Sequence, residues 1–294
     1  MKRTLFVVNP VAGQKKIKAA LADVLLLFNQ HGIDTAVYMT DRQRSLEDYI
    51  ENRGGDYDSV VCCGGDGTLN RTVNGIINCN MNLPIGYIPA GSTNDFAAGL
   101  KLPSSPISAA EKILQATEHL HDVGVMDKNR NFVYVASFGA FSETSYMTSQ
   151  SLKNALGHLA YILDGSRAII NIKPISLKCS YDGGETEGNF IFGAVANSTS
   201  MGGILKLKDP KISFNDGLFE MLLVRAPKNI FELQGIINCL LTYKYDGKNV
   251  IYIRTSAARF QFEREIEWSL DGERYIGTES AQIDILKKKI SFLY

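Results

Sequence analysis

The segment that most constrains the fold is Gly64-Gly65-Asp66-Gly67-Thr68. It lies between Val60-Val61-Cys62-Cys63, an apolar run too short for a helix, and a stretch of helical spacing over residues 69–78. Three glycines thus stand where the backbone leaves a strand and enters a helix. Glycine admits positive φ and carries no Cβ, so backbone N–H groups there can converge on phosphate oxygens, and the helix start adds partial positive charge. An acidic residue inside such a cradle is best explained by a cation that accompanies the phosphate. Asp66 is therefore a candidate Mg2+ contact for a nucleotide polyphosphate; the plainer alternative is a tight turn with Asp66 capping the helix.

A second loop repeats the pattern. Ala90-Gly91-Ser92-Thr93-Asn94-Asp95 follows the strand-like Ile85-Gly86-Tyr87-Ile88 and brings hydroxyls, an amide and another carboxylate to a helix start. Upstream, Thr4-Leu5-Phe6-Val7-Val8 ends at Asn9-Pro10-Val11-Ala12-Gly13, with Lys15 and Lys16 opening a helical stretch that runs to residue 30. Lysines at a helix start oppose the dipole, which makes Lys15 more sensible beside an anion than on a solvated basic face. Thr35-Ala36-Val37-Tyr38-Met39 precedes a further helical stretch over 45–52. Short buried strands alternating with helices predict a mostly parallel sheet covered on both faces: a doubly wound α/β nucleotide domain over residues 1–125, its ligand crevice beyond the carboxyl ends of the strands. Neither GxxxxGK[ST] nor GxGxxG occurs, so a P-loop enzyme and a Rossmann dehydrogenase lose their main support.

Beyond residue 125 the period changes to two. Segments 132–138, 175–181, 189–196, 218–224, 250–254, 259–263, 266–270 and 281–285 alternate apolar and polar residues, with Gly, Asp or Asn at many of the breaks. They predict an antiparallel β-sandwich over residues 126–294, interrupted by amphipathic helical stretches at 151–170 and 228–243. Asp-Gly occurs six times, and in a β-rich domain its default meaning is a hairpin turn, Asp271-Gly272 included. Lys+Arg and Asp+Glu number 31 each, balanced in both halves, so nucleic acid is not an expected partner. The five cysteines include no CxxC pair, and no window approaches the roughly 18 apolar residues of a membrane span. A reduced, cytoplasmic protein is expected.

In order along nearly the whole chain, N-P-x-A-G at 9–13, GGDGT at 64–68, P-A-G-S-T-N-D-F-A at 89–97, D-V-G at 122–124, the segment Ser213-Phe214-Asn215-Asp216-Gly217-Leu218 and L-D-G-E at 270–273 resemble the diacylglycerol kinase catalytic-domain family. The likeness is to the bacterial lipid kinases related to diacylglycerol and sphingosine kinases. NAD kinases and phosphofructokinases share a version of GGDGT; GSTNDFA two dozen residues later is what makes the pattern specific. The resemblance implies an N-terminal α/β nucleotide domain, a C-terminal β-sandwich domain with the active site in the cleft between them, and ATP-dependent phosphorylation of a lipid hydroxyl. It implies nucleotide contacts at Asn9, Thr40, Gly64, Gly65, Asp66, Gly67, Thr68, Ser92 and Thr93, with Asp66 and Asp95 near the catalytic Mg2+. It also implies a base at the L-D-G-E turn, Asp271 or Glu273, and a second, structural Mg2+ at Asp216 with main-chain carbonyls of Ser213 and Leu218. Asp122 is expected to orient the Asp271 and Glu273 pair. Phosphoryl transfer needs positioning, charge neutralisation and a base for the acceptor's proton, which these residue types supply.

Two other functions use the same motifs. An NAD kinase shares GGDGT and chain length but not Gly91-Ser92-Thr93-Asn94-Asp95; a catalytically idle nucleotide-binding regulator would not need Asp66, Asp95, Asp271 and Glu273 together. His119 and His121 lack a third ligand at metal spacing and read as surface or junction histidines. Phe138-Gly139-Ala140-Phe141 and the stretch with Leu152, Leu156, Leu159, Tyr161 and Leu163 line an acyl groove or simply cover the sandwich. Lys287-Lys288-Lys289 and Lys206, Lys208 and Lys211 are solvated charge or face anionic headgroups. An enzyme acting on a lipid without a membrane span is expected at the inner face of the membrane, bound reversibly.

Overall fold

The computed structural model describes residues 2–12, 16–41, 44–139, 173–201, 205–207 and 211–294. Lys15, Phe141, Lys208 and the helical stretch expected at 151–170 lie outside the described residues.

The chain begins by alternating as its periodicity predicts: β1 (Arg3–Val8), α1 (Lys16–Gln30), β2 (Asp34–Met39), α2 (Leu46–Arg53), β3 (Ser59–Gly64), α3 (Asp66–Asn78), β4 (Ile85–Pro89), α4 (Asp95–Gly99), α5 (Pro106–Leu114) and β5 (Glu118–Met126). The first four strands are parallel in the order β2-β1-β3-β4, with Val8 opposite both Met39 and Cys63, and Cys63 opposite Ile88. Because successive strand residues point to opposite faces, the pattern of burial shows how the sheet is covered. Phe6, Val8, Val61 and Ile88 pack with Ile17, Val24 and Phe28 of α1 and Ala110 and Ile113 of α5; Leu5, Val7, Val60 and Cys62, of opposite parity, are buried as well. Helices therefore cover both faces, which is why these strands read as unbroken apolar runs.

The second part consists of β6 (Arg130–Phe132), β7 (Val135–Gly139), β8 (Ile175–Tyr181), β9 (Gly184–Ala196), β10 (Ser200–Met201), β11 (Leu205–Lys206), β12 (Phe219–Arg225), α6 (Ile230–Thr242), β13 (Val250–Thr255), β14 (Ala257–Phe262), β15 (Glu267–Leu270), β16 (Glu273–Ile276) and β17 (Ser280–Leu293). Its ladders are antiparallel. The long β9 serves three partners: its first half pairs with β8, its second with β7 and β12. Inward residues of these strands form one aromatic-rich core, in which Phe138 and Trp268 rings lie 4.7 Å apart edge to face.

Two compact units result, Met1–Val123 with Lys287–Tyr294, and Gly124–Leu286. The C-terminal tail thus departs from the expected boundary. Phe292 and Leu293 pair in parallel with Ile85 and Gly86 of β4, so the tail belongs to the first unit. Among the described residues no helix is long and apolar enough to cross a membrane.

Candidate active site

In the first unit the implied nucleotide residues gather at the carboxyl ends of four adjacent parallel strands. Asn9 follows β1, Thr40 follows β2, Gly64 to Thr68 close β3, and Ser92 and Thr93 follow β4. Each loop is tied to its neighbour. The Asn9 amide donates to Thr68 Oγ1 at 3.1 Å and its backbone N–H to the Cys63 carbonyl at 2.9 Å; the Thr40 N–H donates to the Val8 carbonyl at 2.9 Å. Ser92 and Thr93 are exposed.

The two glycine loops touch. A Cβ on Gly91 would stand 2.6 Å from the Gly65 Cα, closer than any real Cβ contact, so only glycine lets these backbones meet. Asn94 holds the second loop in shape from the left-handed region, φ 53°, with Oδ1 accepting the Gly91 N–H at 2.8 Å and its amide donating to the Gly91 carbonyl at 2.9 Å. Asparagine tolerates that conformation better than most residues. Its place in G-S-T-N-D is the sequence signal for this role.

Across this contact the Asp66 carboxylate accepts the Asp95 N–H at 3.0 Å. Asp95 is buried, and desolvation together with the negative charge of Asp66 raises its carboxyl to about 7. Two acidic residues whose charges act on each other beside a glycine cradle suit a divalent cation. Mg2+ is ordinarily held by one or two carboxylates, with substrate phosphates and water completing the shell. Among the described residues no three His, Cys, Asp or Glu side chains converge as a metal cage. Asp122 is fully buried on β5, and its Oδ1 accepts the Lys288 N–H at 2.6 Å, where Lys288 has φ 49°. His121, expected as a surface or junction histidine, is buried: its Nε2 lies 2.9 Å from the Tyr294 hydroxyl and its ring is edge-on to Phe292.

In the second unit the L-D-G-E turn separates the two carboxylates that sequence could not tell apart. Asp271 and Gly272, both at positive φ (50° and 87°), are the two central residues of the β15–β16 hairpin, in which Leu270 faces Glu273. The Asp271 side chain is buried, its Oδ2 accepting the Val133 N–H at 2.6 Å and its Oδ1 those of Tyr134 and Val135 at 3.0 Å. Glu273, two residues on, is exposed.

Asp216, expected at a second metal site, is bonded within the protein. Its Oδ1 accepts the Leu218 N–H at 3.0 Å and its Oδ2 is paired with the Arg254 guanidinium. Arg254 Nε also reaches Glu220 Oε1 at 3.4 Å, and burial raises the Glu220 carboxyl to about 8. The Ser213 hydroxyl donates to Asn215 Oδ1 at 2.9 Å. The Asp216 carboxylate is thus already paired with an arginine.

Residues 3–126 match the diacylglycerol kinase catalytic domain model. The chain is 30% identical over 279 residues to a diacylglycerol kinase of Bacillus subtilis, covering 93% of this chain and 90% of that one. The chain belongs to the diacylglycerol kinase family. Another diacylglycerol kinase, of Staphylococcus carnosus, is 31% identical over 293 residues, covering 98% of this chain and 94% of its own. Among solved structures, a diacylglycerol kinase from Bacillus anthracis strain Sterne superposes with a TM-score of 0.73 at 20% identity, covering 100% of this chain and 97% of that one. The mixed fold, parallel strands first and antiparallel strands after, is thus the fold of that kinase. As a member of this family the chain is a phosphotransferase with an alcohol group as acceptor.

Proposed function

We propose that this kinase transfers the γ-phosphoryl group of ATP to the hydroxyl of diacylglycerol or a related lipid, giving a phosphorylated lipid such as phosphatidic acid. The observation that carries the proposal is the contact of two glycine loops at parallel strand ends, with Asp66 and Asp95 beside it. We assign the nucleotide phosphates to the N–H groups of Gly64, Gly65, Gly67 and Thr68, with Asn9, Thr40, Ser92 and Thr93 around them. Asp66 and Asp95 would hold Mg2+, which when bound neutralises charge on the transferring phosphoryl group. The start of α3 favours the same negative charge.

We assign the acceptor's proton to Glu273. Asp271 is the weaker candidate, because its carboxylate already accepts three backbone N–H bonds in a buried place, whereas Glu273 is solvent-facing and uncommitted to the backbone. Asp271 then acts by fixing the hairpin that carries Glu273. Reversible contact with a membrane completes the proposal, since the acceptor is insoluble in water.

The test is a phosphoryl-transfer assay with γ-labelled ATP and a panel of acceptors in mixed micelles. The expected result is Mg2+-dependent label in phosphatidic acid or another phosphorylated lipid. Label in NADP, or ATP bound with no transfer to any lipid, overturns the proposal.

A further inference from the structure

We propose that Arg254 is the built-in counter-cation of the 213–218 loop, taking the place in which the family resemblance puts a second divalent ion. In the antiparallel β12–β13 ladder Glu220 and Arg254 are directly opposite each other, so the sheet itself aims the guanidinium at the start of β12. From there one guanidinium bonds two acidic side chains: Nη2 pairs with Asp216 in the loop and Nε with Glu220 on the neighbouring strand. Arginine suits this better than lysine because its planar fork presents several donors in fixed directions. The other oxygen of Asp216 accepts the Leu218 N–H, so both are engaged within the protein.

The group has a second property. Glu220 is wholly buried, and its Oε2 has no hydrogen-bond partner. Take the guanidinium away and the two oxygens that it bonds, Asp216 Oδ2 and Glu220 Oε1, lose their cation. Two acidic side chains that have lost their shared cation can take a hard divalent ion in its stead. With the guanidinium present, the same ion would have to displace a cation that is already bonded and needs no dehydration. Arg254 is therefore a positioning residue, locking the loop to β12 and β13 without a metal.

Mn2+ binding followed by electron paramagnetic resonance, without nucleotide or lipid, tests this independently of the kinase proposal. The unaltered chain and Asp216→Asn should bind the same number of Mn2+ ions. Arg254→Met should bind one more per chain, lost again in Arg254→Met with Asp216→Asn. An ion bound to the unaltered chain and lost in Asp216→Asn overturns the proposal, as does a folded Arg254→Met that takes up no extra ion. If Arg254→Met does not fold, the comparison of the unaltered chain with Asp216→Asn decides. Thermal melting adds a check that leaves Arg254 and Asp216 in place: in Asp66→Asn with Asp95→Asn, which lacks both carboxylates of the other metal site, exchanging EDTA for Mg2+ should leave the midpoint unmoved, and a clear rise counts against Arg254.

Discussion

Asp66 accepts a hydrogen bond from the backbone of Asp95 yet contributes to neither hydrophobic core, and this separates its chemical role from its structural one. Asp66→Ala is expected to abolish transfer while circular dichroism and the melting midpoint stay near those of the unaltered protein; turnover within a few-fold of normal removes the metal and nucleotide role from this loop. The two carboxylates of the hairpin should respond in opposite ways. Glu273→Gln should lower kcat by about two to four orders of magnitude with the KM for ATP nearly unchanged and stability within about 0.5 kcal/mol, the pattern of a lost base on the surface. Asp271→Ala instead strips three buried N–H groups of their acceptor and puts alanine at φ 50°, so it should cost about 3–5 kcal/mol in urea denaturation. A stable Asp271→Ala together with an active Glu273→Gln would exchange the two roles.

Strand β5 carries a pH dependence of folding. Burial, with a smaller contribution from the charge of His119, lowers His121 to about 3, from an ordinary value near 6.5. Above about 6.5 the imidazole is neutral whether the chain is folded or not; below it the unfolded chain takes up a proton that the folded chain refuses. Stability should therefore be full above pH 6.5 and fall as pH drops toward 3, by up to about 1.4 kcal/mol per pH unit. Urea midpoints of His121→Phe at pH 7 and 5 should lie closer together than those of the unaltered chain, and an undiminished gap refutes the linkage. That histidine also marks a limit of sequence reading. Strands buried on both faces, such as β1 and β3, and the strand β8 stood out, because local apolar spacing decides them. Segment 132–138 splits into β6 and β7, since the N–H groups of Val133, Tyr134 and Val135 turn to a carboxylate 136 to 138 residues away. Helix α5 went unread although Ser105 caps it and Pro106 opens it, a start signal lying in the open. Strand β17 runs to Leu293, well past the expected end at 285, because Lys287-Lys288-Lys289 interrupt the apolar alternation while pairing with β4 resumes beyond them. His121 is buried by Tyr294 and Phe292, more than 170 positions on, contacts that no local pattern contains. At the candidate site the glycine loops were legible because backbone conformation dictates residue type there. The difference between Asp271 and Glu273 was not, because it depends on where remote N–H groups point.

For the molecule as a whole the charge is balanced, 31 basic against 31 acidic side chains, so no long-range field draws it to an anionic membrane. A water-insoluble acceptor still has to be met, and local features must do it. Phe231 and Leu241 on α6 are 78% and 61% exposed, with Gln234 and Asn238 exposed between them and no charge among the four. Lys228 and Lys244, both exposed, flank the helix, and in the other unit Lys287 and Lys288 are exposed on β17. A few exposed apolar side chains insert weakly, and each lysine near an anionic surface adds about 1 kcal/mol, within reach of only about 10 Å at 0.1 M salt. Binding should therefore be weak, stronger on vesicles containing anionic lipid than on neutral ones, and reduced several-fold between low and high salt. Phe231→Ser with Leu241→Ser should lower binding to both vesicle types, while Lys287→Gln with Lys288→Gln should lower only the anionic preference. Sedimentation with both kinds of vesicle measures this, and equal binding to the two, or retention that resists high salt, contradicts reversible surface contact.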